Sequence, residues 1–272
     1  MITFQADVKK IPCSVEILTR NSAATLEKCL PSVKDFAEII ILDGNSTDRT
    51  LEIARKYGCR TYKQYDTDEP EVRIKDYAEI RNRGLKFASY DWFLYIDSDE
   101  YLSEEAVKEI RSIVQSPNPE AFVWWQPRKY VLAGRVVDCA TTYPSQQIRF
   151  FHRAWVKEFI KPIHERIEVK PGAKVSRLKN FAYVPLGDFT SLKTRWARYF
   201  DLEERLFEGV SRKKLLRAAF KQAALFFLYA LRYFRGLLFC RGVRMPLRYE
   251  LARHKYILRL GFVLLGKLFI RK

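Results

Sequence analysis

The chain has 272 residues, 48% of them hydrophobic and 14% aromatic, enough apolar mass for one large or two small cores, which excludes a disulfide-stapled miniprotein and a disordered tail. Lys and Arg number 49 against 32 Asp and Glu, a formal +17 that calls for an anionic partner such as phosphate, lipid headgroups or nucleic acid. The excess is uneven: residues 1–185 carry 29 basic and 26 acidic side chains, whereas residues 186–272 carry 20 and 6.

In chain order the pattern alternates strand and helix. Residues 13–18 (CSVEIL) read as a short apolar strand, followed by a helical pattern through Leu26, Leu30 and Val33. Residues 38–42 (EIIIL) form a second strand, apolar throughout as a strand covered on both faces should be. The loop DGNSTDRT offers Ser46, Thr47 and Asp48 as caps for a helix running to about Lys56, and a third strand follows near Arg60–Tyr62. Residues 74–88 are helical by pattern, and residues 91–96 (DWFLYI) form a strand that stops at Asp97-Ser98-Asp99-Glu100. Ser103 caps the next helix, with Glu104 and Glu105 in its first turn where the dipole favours negative charge. From about residue 120 the pattern turns β-rich (AFVWWQ, GRVVD, QIRFFH, ERIEV), and the nearest thing to a boundary is Pro185-Leu186-Gly187, where the charge balance changes. The cysteines (Cys13, Cys29, Cys59, Cys139, Cys240) are odd in number, lie far apart and form no CxxC pair, so unpaired thiols in a reducing compartment are expected. MITFQADVKKIPC has no apolar stretch long enough for a signal peptide, which points to the cytosol.

Three apolar strands end in polar residues: Thr19-Arg20-Asn21, Asp43-Gly44-Asn45-Ser46 and Asp97-Ser98-Asp99. In an open parallel sheet such ends flank the ligand crevice. Two carboxylates on a short turn can hold a hard cation whose shell is completed by substrate phosphates. With no GxGxxG and no GxxxxGK[ST] in the chain, a divalent metal, Mn²⁺ or Mg²⁺, is the economical means of neutralising a diphosphate.

The runs ILTRN, LEKCLPSVKDFAEIIILDGNSTDRT and EIRNRGLKFASYDWFLYIDSDEYLS resemble the family 2 inverting glycosyltransferases over about residues 12–105, and YPSQQIRFFHR with PIHERIEV is similar to the subgroup that adds a sugar, typically glucose, to the lipopolysaccharide core. The resemblance implies an α/β GT-A fold, a nucleotide-diphospho-sugar transferase with a Rossmann-like mixed sheet and helices on both faces, followed by a C-terminal amphipathic helical extension. Together with the change of charge balance near Pro185, this gives a catalytic domain at 1–185, with a donor-binding half at about 12–105 and an acceptor and base half at about 106–185, and a basic amphipathic helical, membrane-associating extension at 186–272. The resemblance further implies that Thr19, Arg20 and Asn21 line the nucleotide pocket, that Asp43 contacts the base, and that Arg81 and Asn82 lie beside the donor. Asp97 is then expected on the donor ribose or the metal, Asp99 on the metal, and His164 as a further ligand. An inverting transfer needs a carboxylate to take the acceptor proton. Glu165 of the His164-Glu165-Arg166 run is the first choice and Asp138 the second, with Arg149 or Arg166 available to the carboxylate or the diphosphate. Where the subgroup carries an aspartate after the proline of its YP motif, this chain has Ser145.

From Lys213 to Cys240 the basic residues Lys213, Lys214, Arg217, Lys221, Arg232 and Arg235 share one narrow stripe of a helical wheel, and the rest is Leu, Phe, Ala and Tyr. The longest uncharged apolar run, Ala223–Leu231, is far short of the ~20 residues needed to span a bilayer. The expected partners are a nucleotide-diphosphate sugar, probed first as a UDP-hexose, a lipid-linked saccharide and an anionic membrane surface on the cytoplasmic face. Nucleic acid is the rival, with Trp196, Tyr199, Phe200, Tyr229 and Tyr233 as stacking platforms, but in 213–235 aromatics and charges fall mainly on opposite sides, so none is expected. Two alternatives stay open: a polyprenyl-phosphate sugar synthase, and a non-catalytic basic scaffold with a GT-A-like domain.

Overall fold

The computed structural model describes residues 10–270. In chain order the elements are β1 (Ile11–Thr19), α1 (Ala23–Val33), β2 (Phe36–Asp43), α2 (Thr50–Lys56), β3 (Arg60–Lys63), α3 (Tyr77–Phe87), β4 (Trp92–Asp97), β5 (Tyr101–Leu102), α4 (Glu104–Gln115), β6 (Val123–Leu132) and β7 (Arg135–Val136). There follow β8 (Ser145–His152), β9 (Val156–Ile160), β10 (Arg166–Val169), β11 (Val175–Arg177), β12 (Ala182–Pro185), α5 (Phe189–Leu206), α6 (Arg212–Phe239) and α7 (Leu247–Ile270). They form two compact units, residues 10–128 with 146–184, and residues 129–145 with 185–270. The charge-based division at residue 185 leaves the 129–145 segment with the N-terminal part, whereas here it belongs with the C-terminal helices.

In the first unit β3, β2, β1 and β4 lie side by side in parallel, and β8 joins β4 in the opposite sense. β1 and β2 are largely apolar because both faces are covered. Leu26, Leu30 and Val33 of α1, Ile53 of α2, and Ala106 and Ile110 of α4 bury one face against Val15, Ile17, Ile41 and Ile96. Ala78 and Ile80 of α3 bury the other against Ile40, Leu42, Phe93 and Tyr95. This is the expected α/β arrangement, a mixed sheet with helices on both faces. Ser103 caps α4 as expected, its hydroxyl accepting from Ala106 N–H, and Asp76 caps α3 by accepting from Glu79 N–H.

In the second unit Phe200 of α5, Leu215 and Ala219 of α6, and Leu260 and Leu264 of α7 share a small core. Phe226 meets His254 farther along, so α6 and α7 run antiparallel. Among the described residues no helix is long and apolar enough to cross a membrane. The expectation of unpaired cysteines fails at one place: Cys139 is joined to Cys240. Asp138 N–H donates to Val243 O at 2.8 Å and Met245 N–H to Cys139 O at 2.9 Å, and this backbone pairing brings together two thiols 101 positions apart. Sequence spacing does not encode such a contact. Cys13, Cys29 and Cys59 are free thiols.

Gly84 on α3 faces the buried Glu16 of β1, and a Cβ there would stand 2.2 Å from Glu16 Oε1. Helix propensity alone favours alanine over glycine by about 1 kcal/mol. Gly84→Ala is nonetheless expected to destabilise the first unit by about 1–3 kcal/mol, as overpacking does, and urea denaturation measures the sign.

Candidate active site

The parallel register places Thr19 beside Asp43 and Leu18 beside Asp97, so three strand ends reach the same edge at the point where the chain order of the sheet reverses between β1 and β4. Asp43 is buried there. Its carboxylate accepts from Thr19 Oγ1 at 2.7 Å, from Ser46 N–H at 2.7 Å and from Ser46 Oγ at 2.6 Å. Asn21, in the left-handed region at φ 47, donates its backbone N–H to Ser46 Oγ at 2.8 Å, and its Oδ1 accepts from Thr47 N–H at 2.8 Å. The loops after β1 and β2 are thereby tied into one surface, with the half-buried Arg20 between them. Gly44 permits a close approach, since a Cβ would meet Val72 O at 2.6 Å.

Asp97 sits in a fork of two buried guanidiniums. Its Oδ1 accepts from Arg81 Nη2 and its Oδ2 from Arg149 Nη2, each at 2.6 Å. Arg81 reaches Glu16 Oε2 at 3.4 Å and Glu165 Oε1 at 3.5 Å as well. Arg149 donates to Glu100 Oε2 at 2.7 Å, and Arg128 approaches Glu100 Oε1 at 3.3 Å. Both guanidiniums lie over the Tyr95 ring, 4.6 and 5.0 Å from its centroid, a contact that strengthens when water is excluded. The side chains of Arg81 and Arg149 are 1% and 3% exposed, whereas that of Asp97 is 39% exposed, so the network is closed on the protein side and open at the aspartate.

Desolvation works to raise the Asp97 carboxyl, but Arg149 and Arg81 outweigh it and hold the group well below the usual carboxylate range. Glu16 behaves oppositely: complete burial, opposed by Arg81, pushes it up to about 8, and its Oε1 has no hydrogen-bond partner. Burial likewise pushes Glu100 up to about 7 against the pull of Arg149, with Asp97 adding to the rise. Burial raises the Tyr95 hydroxyl to about 12.

The other residues expected at the site are placed as follows. Asn82 joins α3 to β9, its Nδ2 donating to Phe159 O at 3.0 Å and its Oδ1 accepting from Phe159 N–H at 2.7 Å. Glu165 is half-buried, and the guanidinium beside it belongs to Arg81, not to Arg149 or Arg166. His164 and Arg166 flank it and are exposed. Asp138 lies in the second unit, where its carboxylate accepts from Val243 N–H at 2.9 Å and Lys129 Nζ at 3.2 Å. Glu16, Glu100 and Tyr95 are absent from the sequence-derived set. Glu16 carries a legible signal, being the one acid in CSVEIL, since a carboxyl inside an apolar strand requires a partner.

Among the described residues no three His, Cys, Asp or Glu side chains cluster to hold a metal ion, so Asp97, Asp99 and His164 are not gathered into one cage. Both Asp97 oxygens accept from arginine, and Asp99 stands half-buried two residues further along the same turn. A hard divalent ion held by one or two carboxylates, with substrate phosphates and water completing its shell, fits this donor set.

The strand-end loops on a mixed α/β sheet form the kind of crevice in which open α/β sheets take their ligands. Residues 14–136 match the Glycosyl transferase family 2 model, in agreement with the motifs that carry the resemblance and with the mixed α/β sheet expected from them. The chain is 36% identical over 156 residues to a TPR repeat-containing protein of Synechococcus elongatus, covering 57% of this chain and 35% of that protein. It is 34% identical over 118 residues to glycosyltransferase SunS of Bacillus phage SPbeta, covering 41% and 25%. To the lipopolysaccharide core biosynthesis glycosyltransferase LpsC of Rhizobium meliloti it is 31% identical over 161 residues, covering 59% and 58%. The chain thus spans between a quarter and three fifths of these relatives. Among solved structures it is similar to S. aureus TarS 1–349 in complex with UDP-GlcNAc, with a TM-score of 0.47, 18% identity, and coverage of 94% of this chain and 91% of that one.

The raised Glu16 has a sign that can be measured. Its folded-state value of about 8 exceeds its ordinary 4.5, so its contribution is fully present below the ordinary value and is lost as pH rises toward 8. The melting temperature of the unaltered protein is expected to fall between pH 5 and 8.5, with Glu100 contributing in the same direction up to about 7. Glu16→Gln should flatten that decline, which thermal denaturation across the pH range would read.

Proposed function

We propose that the chain is an inverting glycosyltransferase that moves a hexose from a nucleotide-diphosphate donor to a lipid-linked saccharide, of the kind found in the lipopolysaccharide core, while held peripherally on an anionic membrane surface. The observation that carries the reading is the alignment of Thr19, Asp43 and Asp97 at one sheet edge within the stretch that matches the Glycosyl transferase family 2 model. Similarity to LpsC, a lipopolysaccharide core biosynthesis glycosyltransferase, and to the glycosyltransferase SunS supports the activity, and LpsC supports the acceptor class.

In this mechanism the base of the nucleotide sits over the loops that Asn21, Ser46 and Thr47 tie together. A carboxylate has about four acceptor sites. Three at Asp43 are used by Thr19 and Ser46, and the remaining one faces a uracil N3–H. Asp97, kept ionised by its two arginines, orients the donor ribose. A divalent cation on Asp99 would supply positive charge to the departing diphosphate. Glu165 takes the proton of the acceptor hydroxyl as that oxygen attacks the anomeric carbon on the face opposite the leaving group, and Arg81, 3.5 Å away, aims it. Glu165→Gln is expected to lower turnover by about 10²–10⁴-fold with donor affinity changed less than threefold. Near-normal turnover on the saccharide acceptor would remove Glu165 as the base, and donor hydrolysis assays with and without Mn²⁺ test the cation.

The membrane part of the proposal rests on α6 and α7. Phe220, Phe227, Leu231, Phe234 and Leu238 are 60–76% exposed and recur at helical spacing, next to the stripe of Lys213, Lys221 and Arg235; Phe262 and Phe269 of α7 are 70% and 84% exposed. Large rings left in water beside uncompensated cations match the surface of a helix lying in a headgroup layer, where each nearby Lys or Arg contributes about 1 kcal/mol. Phe227→Ser with Phe234→Ser is expected to weaken binding to phosphatidylglycerol vesicles at least tenfold without shifting the melting temperature, as flotation and thermal denaturation would read.

A further inference from the structure

The second unit contains a cavity of about 480 Å³ that the mechanism above does not use. Its wall comes from residues 138–143, the last turns of α6 and residues 244–250, all of one unit. Three guanidiniums line it, those of Arg232, Arg235 and Arg244. Arg232 Nη1 donates to Thr141 O at 3.2 Å and Arg244 Nη1 to Leu237 O at 3.4 Å, and among the described residues none of the three has a carboxylate partner. Two acids also line the space, but both are engaged in its wall. Asp138 accepts from Val243 N–H at 2.9 Å and Lys129 Nζ at 3.2 Å. Glu250, nearly fully buried, accepts from Thr141 N–H at 3.0 Å and from the Thr141 hydroxyl.

A guanidinium has five N–H donors, and in Arg232 and Arg244 the recorded bonds use one each. Three such groups outnumber the two carboxylates on the same wall, and the geometry of the fork suits phosphate oxygens, which it grips in pairs. The remaining wall is apolar or aromatic, with Tyr233, Leu237, Met245 and Leu247. Leu237 and Leu247 are also half exposed, so part of the cavity's rim is apolar where it meets solvent. A free anion has no use for that surface, whereas the apolar stem of a lipid does.

We infer that this cavity binds the phosphate headgroup of a lipid, the phosphomonoester lodged among Arg232, Arg235 and Arg244 and the apolar stem leaving past Leu237 and Leu247. The inference deepens the membrane part of the proposed function by adding a discrete headgroup site to a diffuse surface, and its test needs no bilayer. Isothermal titration of the full chain with dihexanoyl phosphatidic acid below its micelle concentration, at fixed ionic strength, is expected to show one site. Inorganic phosphate should bind at least tenfold more weakly, and dihexanoyl phosphatidylcholine should not bind. Arg235→Gln with Arg244→Gln, both exposed side chains, should lower phosphatidic acid affinity at least tenfold. Arg217→Gln with Lys221→Gln, which removes the same charge from α6 outside the cavity, should change it less than twofold. Equal losses in the two double variants, no saturable binding, or phosphate binding as tightly as the lipid would each overturn the inference. Circular dichroism of both variants guards against unfolding, and the single Arg235→Gln change repeats the test should the double variant unfold. Because the ligand is monomeric, failure of vesicle binding and failure of this site remain separate results.

Discussion

Everything at the sheet edge depends on one carboxylate being held between two guanidiniums. Asp97 ends a strand whose preceding residues are wholly apolar, and without Arg81 and Arg149 its charge would be set against a desolvated core. Removing one member of a buried ion pair costs about 3–5 kcal/mol because the other is left uncompensated. The arrangement therefore couples the fold to the site: α3 delivers Arg81 and β8 delivers Arg149 to the end of β4.

The same economy explains why the network extends inward. Two arginines facing one aspartate have further N–H groups to satisfy, and Glu16, Glu165 and Glu100 are the acids that approach them. They divide the task by environment. Asp97, partly open to solvent and doubly paired, stays ionised, while Glu16 and Glu100, shut away from water, hold their protons to much higher pH. A cluster of like groups in one small volume thus avoids carrying all its charges at once, and Tyr95 offers the guanidiniums a π-face without adding another.

The first unit was largely legible in the sequence because its signals are local. Continuous apolar runs such as EIIIL and DWFLYI give β2 and β4, and the Ser103-Glu104-Glu105 signature gives the start of α4. Strand ends that carry Thr19, Asp43 and Asp97 mark the crevice without any knowledge of three-dimensional contacts. What escaped notice is what long-range packing decides. Arg149 was legible as a basic residue near the site, but nothing in QIRFFH says that its guanidinium faces Asp97 and Glu100. Asp138 looked like a spare acid past the donor motifs, and its place beside Val243 follows from a backbone pairing across a hundred residues. The joining of Cys139 to Cys240, and the company that 129–145 keeps with the C-terminal helices, arise from that same pairing.

The parallel register of β1, β2 and β4 has an evolutionary consequence. Because the core faces of these strands fix where each chain emerges, the three emergent loops behave as interchangeable fittings on a rigid frame. A lineage can rewrite the exposed positions of these loops while leaving every buried isoleucine untouched, so novelty at the sheet edge need not come with loss of the scaffold.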